Sequence, residues 1–179
     1  MGQVRGDDRG GVPPVTGSAI LILTTGGTID KVYFDALSEY QIVDSGIPEL
    51  LKEARASLPF RIEEVCRKDS LELTDADRAR IARAAAEAPE TRIVITHGTD
   101  TMTDTARALA GLAGKTIVLT GALSPARFAT SDAAFNLGMA IATAQIAPAG
   151  VYIAMSGQVF DGQKVRKDRE AGRFVAVGE

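Results

Sequence analysis

The sequence predicts a three-layer α/β domain built on a mostly parallel sheet. Short apolar runs alternate with segments of helical spacing along nearly the whole chain. Two of those runs, residues 19–25 and 92–96, break off into turns rich in glycine and threonine. A buried strand ending in such a turn delivers its next residues to the carboxyl edge of the sheet, where open α/β sheets collect ligands. The 179 residues suit one principal domain, since folding at this size removes roughly 70% of the unfolded surface.

The elements follow in order. Residues 19–25 form the first strand, and residues 30–45, polar and aromatic without sustained periodicity, read as a long loop beside the first turn, a place where lids are found. Residues 47–57 form a helix with Pro48 in its first turn, and residues 59–65 alternate enough for a second strand, with residues 67–70 as a polar crest at its end. Thr74 is placed to cap a helix that runs to Ala88, with Asp75 and Asp77 at its positive end and Pro89 stopping it. The strand at 92–96 leads into a helix over residues 100–113, for which Gly114 supplies the C-terminal cap. Residues 115–120 form a further strand, residues 131–146 a helix and residues 151–154 another strand. Short strands at 159–160 and 173–177 flank the basic segment 164–169.

Composition narrows the function classes. A net charge of -3 without a long basic run leaves no electrostatic footprint for nucleic acid or an anionic membrane. No apolar run approaches the roughly 20 residues that span a bilayer. Cys66 is the lone cysteine, so no internal disulfide and no cysteine-based zinc site is expected, and the simplest setting is the cytoplasm. Residues 1–18 mix charges, glycine and paired prolines without the apolar core of a secretory signal, and read as a disordered extension. Gly114-Lys115-Thr116 is not a phosphate loop, because Leu109 stands where the first glycine is required and the segment precedes a strand.

The chemistry points to the two turns. Glycine lets the backbone bend and approach a ligand closely, and threonine supplies a hydroxyl that acts as nucleophile or donor. Acyl transfer at threonine is the reaction these residue types suggest. Thr24-Thr25-Gly26-Gly27-Thr28-Ile29, together with Thr96-His97-Gly98-Thr99-Asp100-Thr101-Met102, resembles the two signature motifs of bacterial-type L-asparaginases. Asp69-Ser70, Thr120-Gly121-Ala122 with Pro125, and Val159-Phe160-Asp161-Gly162 leading to Lys167 resemble the family in the expected order.

The resemblance covers about residues 19–178 and implies the fold of that family's N-terminal domain, including an unusual left-handed crossover. It implies a short-chain member, with residues 19–179 as the catalytic domain and no C-terminal domain. It further implies hydrolysis of L-asparagine to L-aspartate and ammonia, without metal or organic cofactor, by a homo-oligomer, dimer or tetramer.

Residue by residue, the resemblance makes Thr28 the nucleophile, with Tyr33, or Tyr40 on the same aromatic segment, relaying its proton. Thr99, Asp100 and Lys167 match a second relay across the substrate, in which the identity of the proton carrier stays open. Asp69, Ser70 and Asp100 match the groups that bind the amino-acid end, and backbone amides at Gly27 and Gly98 are placed to stabilise an oxyanion. Leu71 stands where longer members often carry glutamine, which removes one polar contact. His97, the sole histidine, is read as a positioning residue, and Cys66 as a small buried hydrophobe. Two alternatives remain: a related amidase acting on glutamine or a conjugated amide, and a non-catalytic amino-acid-binding module.

Overall fold

The computed structural model describes residues 19–34 and 39–178. The expected extension at 1–18 lies outside them. The central sheet is six-stranded, in the order β4 (Phe60–Lys68), β1 (Ile20–Gly26), β5 (Arg92–Thr96), β6 (Thr116–Thr120), β7 (Gly150–Met155), β8 (Gln158–Asp161). All pairings are parallel except β7 with β8, where a two-residue turn at Ser156 and Gly157, both at positive φ, reverses the chain.

Strands buried on both faces need near-continuous apolar sequence, and Ile93, Val94 and Ile95 or Ile117, Val118 and Leu119 supply it with no exposed surface. Each such side chain contributes roughly 1.5–3 kcal/mol of transfer free energy. Alternation along the strands divides them between two cores. Leu21, Leu23, Ile93 and Ile95 face α2 (Asp75–Glu87) and α3 (Met102–Ala108), while Ile20, Ile22 and Val94 face α1 (Ile47–Glu53) and α4 (Ala133–Ile146).

This layering decides the handedness. The crossovers β5–α3–β6 and β6–α4–β7 step in the same direction across the sheet, yet their helices lie on opposite faces, so the two are of opposite hand. The β1–α1–β4 crossover steps the other way on the α4 face and therefore shares the hand of β5–α3–β6. With right-handed crossovers the overwhelming default, β6–α4–β7 is the left-handed one, as the family resemblance implied.

Several expectations need correction. Residues 30–45 are not simply a loop: a 3-10 turn (Thr28–Asp30) leads into a hairpin of β2 (Lys31–Phe34) and β3 (Glu39–Ile42), whose cross-strand pairs were hidden by the lack of a long alternating pattern. Helix α1 stops at Glu53 and α3 at Ala108, each earlier than helical spacing suggested. At α1, Arg55 takes a left-handed φ of 51°, and beyond α3, Gly111 at φ 93° does the same. Strand β4 runs on to Lys68 through a register shift opposite Thr24 and Gly26. The basic segment itself forms a strand, β9 (Val165–Asp168), paired antiparallel with β10 (Arg173–Ala176) in a separate sheet. Cys66 is half-buried rather than buried, its thiol directed at the Thr25 carbonyl oxygen at 3.7 Å. Among the described residues no helix is long and apolar enough to cross a membrane.

Candidate active site

Parallel register brings Thr24, Thr96 and Thr120 abreast at the carboxyl edge of β1, β5 and β6. From this edge the two glycine-threonine turns emerge side by side. The Thr25 hydroxyl donates to the Thr96 carbonyl at 2.8 Å, and the Gly27 amide donates to the Lys68 carbonyl at 3.1 Å, so the first turn is fastened to both neighbouring strands.

Gly27 has φ 87°, a left-handed conformation that disfavours any side chain, and a Cβ there would lie 2.6 Å from Gly98 Cα. A Cβ on Gly98 would in turn stand 2.6 Å from Ser70 Cβ and 2.7 Å from its Oγ. Gly27 therefore meets Gly98 backbone to backbone, and Gly98 in turn packs directly under the Ser70 side chain, because two of the three contacting residues lack side chains. Thr28 and Thr99 each follow one of these glycines, and the Thr101 hydroxyl, donating to the Ser70 carbonyl at 2.6 Å, closes the cluster.

Lys167 reaches in from β9. Its Nζ donates to Thr99 Oγ1 and to Asp100 Oδ1, both at 2.6 Å, and its side chain is 12% exposed. Because Thr99 Oγ1 accepts from the ammonium, its own proton is free to point to another acceptor. Thr28 is half-buried, and its hydroxyl makes no hydrogen bond to a described residue, as a group kept open for a ligand would.

Asp69 and Ser70 sit where β4 ends. Asp69 caps a short 3-10 turn (Ser70–Glu72), its Oδ1 accepting from the Leu71 amide at 3.1 Å while its Oδ2 receives Lys31 Nζ at 2.6 Å. Burial pushes the Asp69 carboxyl up, but Lys31 and the Leu71 amide outweigh burial and hold it below the usual carboxylate value. Tyr33 and Tyr40 are directly opposite on the β2–β3 hairpin, with ring centroids 5.2 Å apart, and both are exposed. Strand alternation puts Tyr33 on the same face of β2 as Lys31, the face turned to Asp69. Neither tyrosine hydroxyl is hydrogen-bonded to a described residue, so the apposition leaves both as relay candidates.

The sequence reading overlooked two carboxylates and a lysine. Asp30 is buried at the base of the hairpin, where its Oδ1 accepts from Ser45 Oγ at 2.9 Å and the Gly46 amide at 3.1 Å. Burial raises its pKa, and these bonds offset that only in part. Asp132 accepts from the Leu123 and Ser124 amides at 3.0 Å and from Asn136 Nδ2 at 2.8 Å, pinning the loop between β6 and α4. Lys31, three residues after Thr28 and bonded through its amide to the Thr28 carbonyl, was the one with a usable signal: a cation next to the first glycine-threonine turn.

His97 is fully buried. Gly98 O can only accept, so Nδ1 carries the proton and donates to it at 2.7 Å, which leaves Nε2 to accept from the Thr105 hydroxyl at 2.7 Å. Burial pushes its pKa down to about 4. A neutral imidazole that grips the Gly98 carbonyl orients the second turn. Among the described residues no group of three or more histidine, cysteine, aspartate or glutamate side chains gathers to hold a metal ion.

Comparisons with known proteins bear on the family and the fold. Residues 19–174 match the family described as Asparaginase, N-terminal. The chain is 33% identical over 163 residues to an L-asparaginase of Thermococcus kodakarensis, covering 86% of this chain and 48% of that one. It is 37% identical over 150 residues to one of the subunits of a glutamyl-tRNA(Gln) amidotransferase from Pyrobaculum aerophilum, covering 76% of this chain and 34% of the relative. The crystal structure of L-asparaginase I from Vibrio cholerae superposes with a TM-score of 0.77 at 30% identity, over 90% of this chain and 52% of that one. The chain thus spans about half, or less, of the length of these relatives.

Proposed function

The chain belongs to the asparaginase family, and from that premise we propose that it is a threonine-dependent amidohydrolase that converts L-asparagine and water to L-aspartate and ammonia. The observation that carries the reading is the Lys167–Thr99–Asp100 cluster standing beside the Gly27–Gly98 contact, with Thr28 unengaged next to it.

In this reading the Thr28 oxygen attacks the side-chain amide carbon. The C–N bond breaks, ammonia leaves with the proton that Tyr33 or Tyr40 relays, and an aspartyl ester remains on Thr28. Water, directed by Thr99 within the Lys167 and Asp100 cluster, then cleaves the ester and restores the hydroxyl. The Gly27 amide, expected as an oxyanion donor, is spent on the Lys68 carbonyl, so the charge that develops on the carbonyl oxygen falls to the other backbone amides of the two turns, a contribution whose loss typically costs about 10²–10³ in rate. Asp69, Ser70 and Asp100 hold the amino-acid end. Residues 19–178 act as the catalytic domain, in the cytoplasm and as a homo-oligomer. Self-association is supported by α4, which has no charged side chain and exposes Phe135 and Ile146.

The amidotransferase relative favours a second reading, in which the same site takes its amide from glutamine and serves a transferase partner. One methylene separates the two amides, worth on the order of 1–3 kcal/mol of discrimination. Ammonia release from free asparagine and free glutamine, measured side by side, separates the two readings. Thr28→Ala should abolish release while leaving the unfolding midpoint unchanged; undiminished turnover would refute the nucleophile assignment.

A further inference from the structure

We propose that Lys31 receives the α-carboxylate of the substrate and thereby selects free α-amino acids, an inference that rests on the amidohydrolase reading above. Lys31 leaves the turn that carries Thr28, its amide bonded to the Thr28 carbonyl, and its ammonium crosses to Asp69 at the end of β4. The two side chains are 25% and 29% exposed and form one wall of a cleft of about 580 Å³.

Charge and valence both assign the role. Without Lys31, the carboxylates of Asp69 and Asp100 would face an incoming amino acid with Lys167 as the balancing cation, and Lys167 is already held by Thr99 and Asp100. A substrate carboxylate would then meet a net negative wall. Lys31 gives Asp69 a cation as Lys167 gives Asp100 one, so each of these carboxylates has a positive partner and a substrate carboxylate has an ammonium to meet.

Of the two cations that line the cleft, Lys31 and Arg67, only Arg67 is held by carboxylates outside it. Arg67 is engaged by Asp44 at 2.6 Å and by Glu64 at 2.8 Å, and Leu71 presents an apolar side chain that is 67% exposed. Lys31 spends one N–H on Asp69 and has two more for an arriving carboxylate. The α-ammonium settles against Asp69 and the α-carboxylate against Lys31, so the ion pair is kept and extended rather than broken.

The test pairs each free acid with its α-amide. Initial rates with L-asparagine and with L-aspartic acid diamide are compared in the wild type, Lys31→Met and Lys31→Arg, and calorimetry follows binding of L-aspartate and its α-amide, isoasparagine. Lys31→Met should raise KM for asparagine by about tenfold to a hundredfold, the range for a hydrogen bond to a charged group. It should leave kcat and the diamide KM within about twofold, and Lys31→Arg should retain most of the discrimination. Equal losses for acid and amide would make Lys31 a brace for Asp69 and overturn the proposal, as would no loss for either or a wild type that binds neither ligand. A wild type that binds aspartate through Lys31 in preference to isoasparagine, yet hydrolyses no amide, would refute the hydrolase reading and leave this one standing.

Discussion

His97 should stay neutral in the folded protein through the whole range in which a free imidazole titrates. Its pKa falls from about 6.5 to about 4 because the ring is buried between the Gly98 carbonyl and the Thr105 hydroxyl. The folded value is the lower one, so between those pH values the unfolded chain binds more protons and stability declines as the solution is acidified. A shift of this size corresponds to about 3 kcal/mol in full, of which about 2 kcal/mol is lost between pH 7 and pH 5. Asp30, raised by burial, acts with the opposite sign toward the acid end of that window. Comparison with His97→Gln removes the Asp30 contribution, which is common to both proteins. Urea unfolding at half-unit pH intervals gives the slope. Because the chain has one histidine, NMR of the ring reports the folded pKa without assignment ambiguity. A folded imidazole that titrates near 6.5 would refute the burial argument and, with it, the positioning role at the second turn.

The remaining predictions concern the site. Gly98→Ala places a Cβ 2.6 Å from Ser70 Cβ and should destabilise by about 1–3 kcal/mol while displacing Thr99; a urea midpoint equal to wild type would show that Ser70 yields freely. Lys167→Met should lower kcat by about 10²-fold or more with L-aspartate binding retained, and a change confined to affinity would sink the relay. Of Tyr33→Phe and Tyr40→Phe, the one that removes the relay should cost at least about 10²-fold in kcat, the other little; equal small effects would leave both as hairpin packing.

The parallel strands and the helices that cover them were legible because buried strands must be apolar and helices must show a 3.6-residue stripe, so Ile93 to Ile95 and Ile117 to Leu119 declare themselves without any partner. Hairpin β2–β3 was not legible, since its stability comes from Tyr33 lying across from Tyr40 and from Asp30 closing its base, neither of which leaves a local period. Strand β9 hid for the same reason. Its charged sequence Val165–Asp168 reads as solvated surface until β10 pairs with it and turns Lys167 toward Thr99.

What the chain alone determined is the set of candidate groups: two glycine-threonine turns, each obliged to follow a buried strand, and the motif order that marks the family. The tertiary structure decided which groups meet. Gly27 against Gly98 and Gly98 against Ser70 are contacts between segments separated by dozens of residues, possible only because parallel register ends β1 and β5 at one level. It also decided the charge of each group, because the ion pair that engages Asp69 and the burial that keeps His97 neutral are properties of neighbours rather than of sequence position.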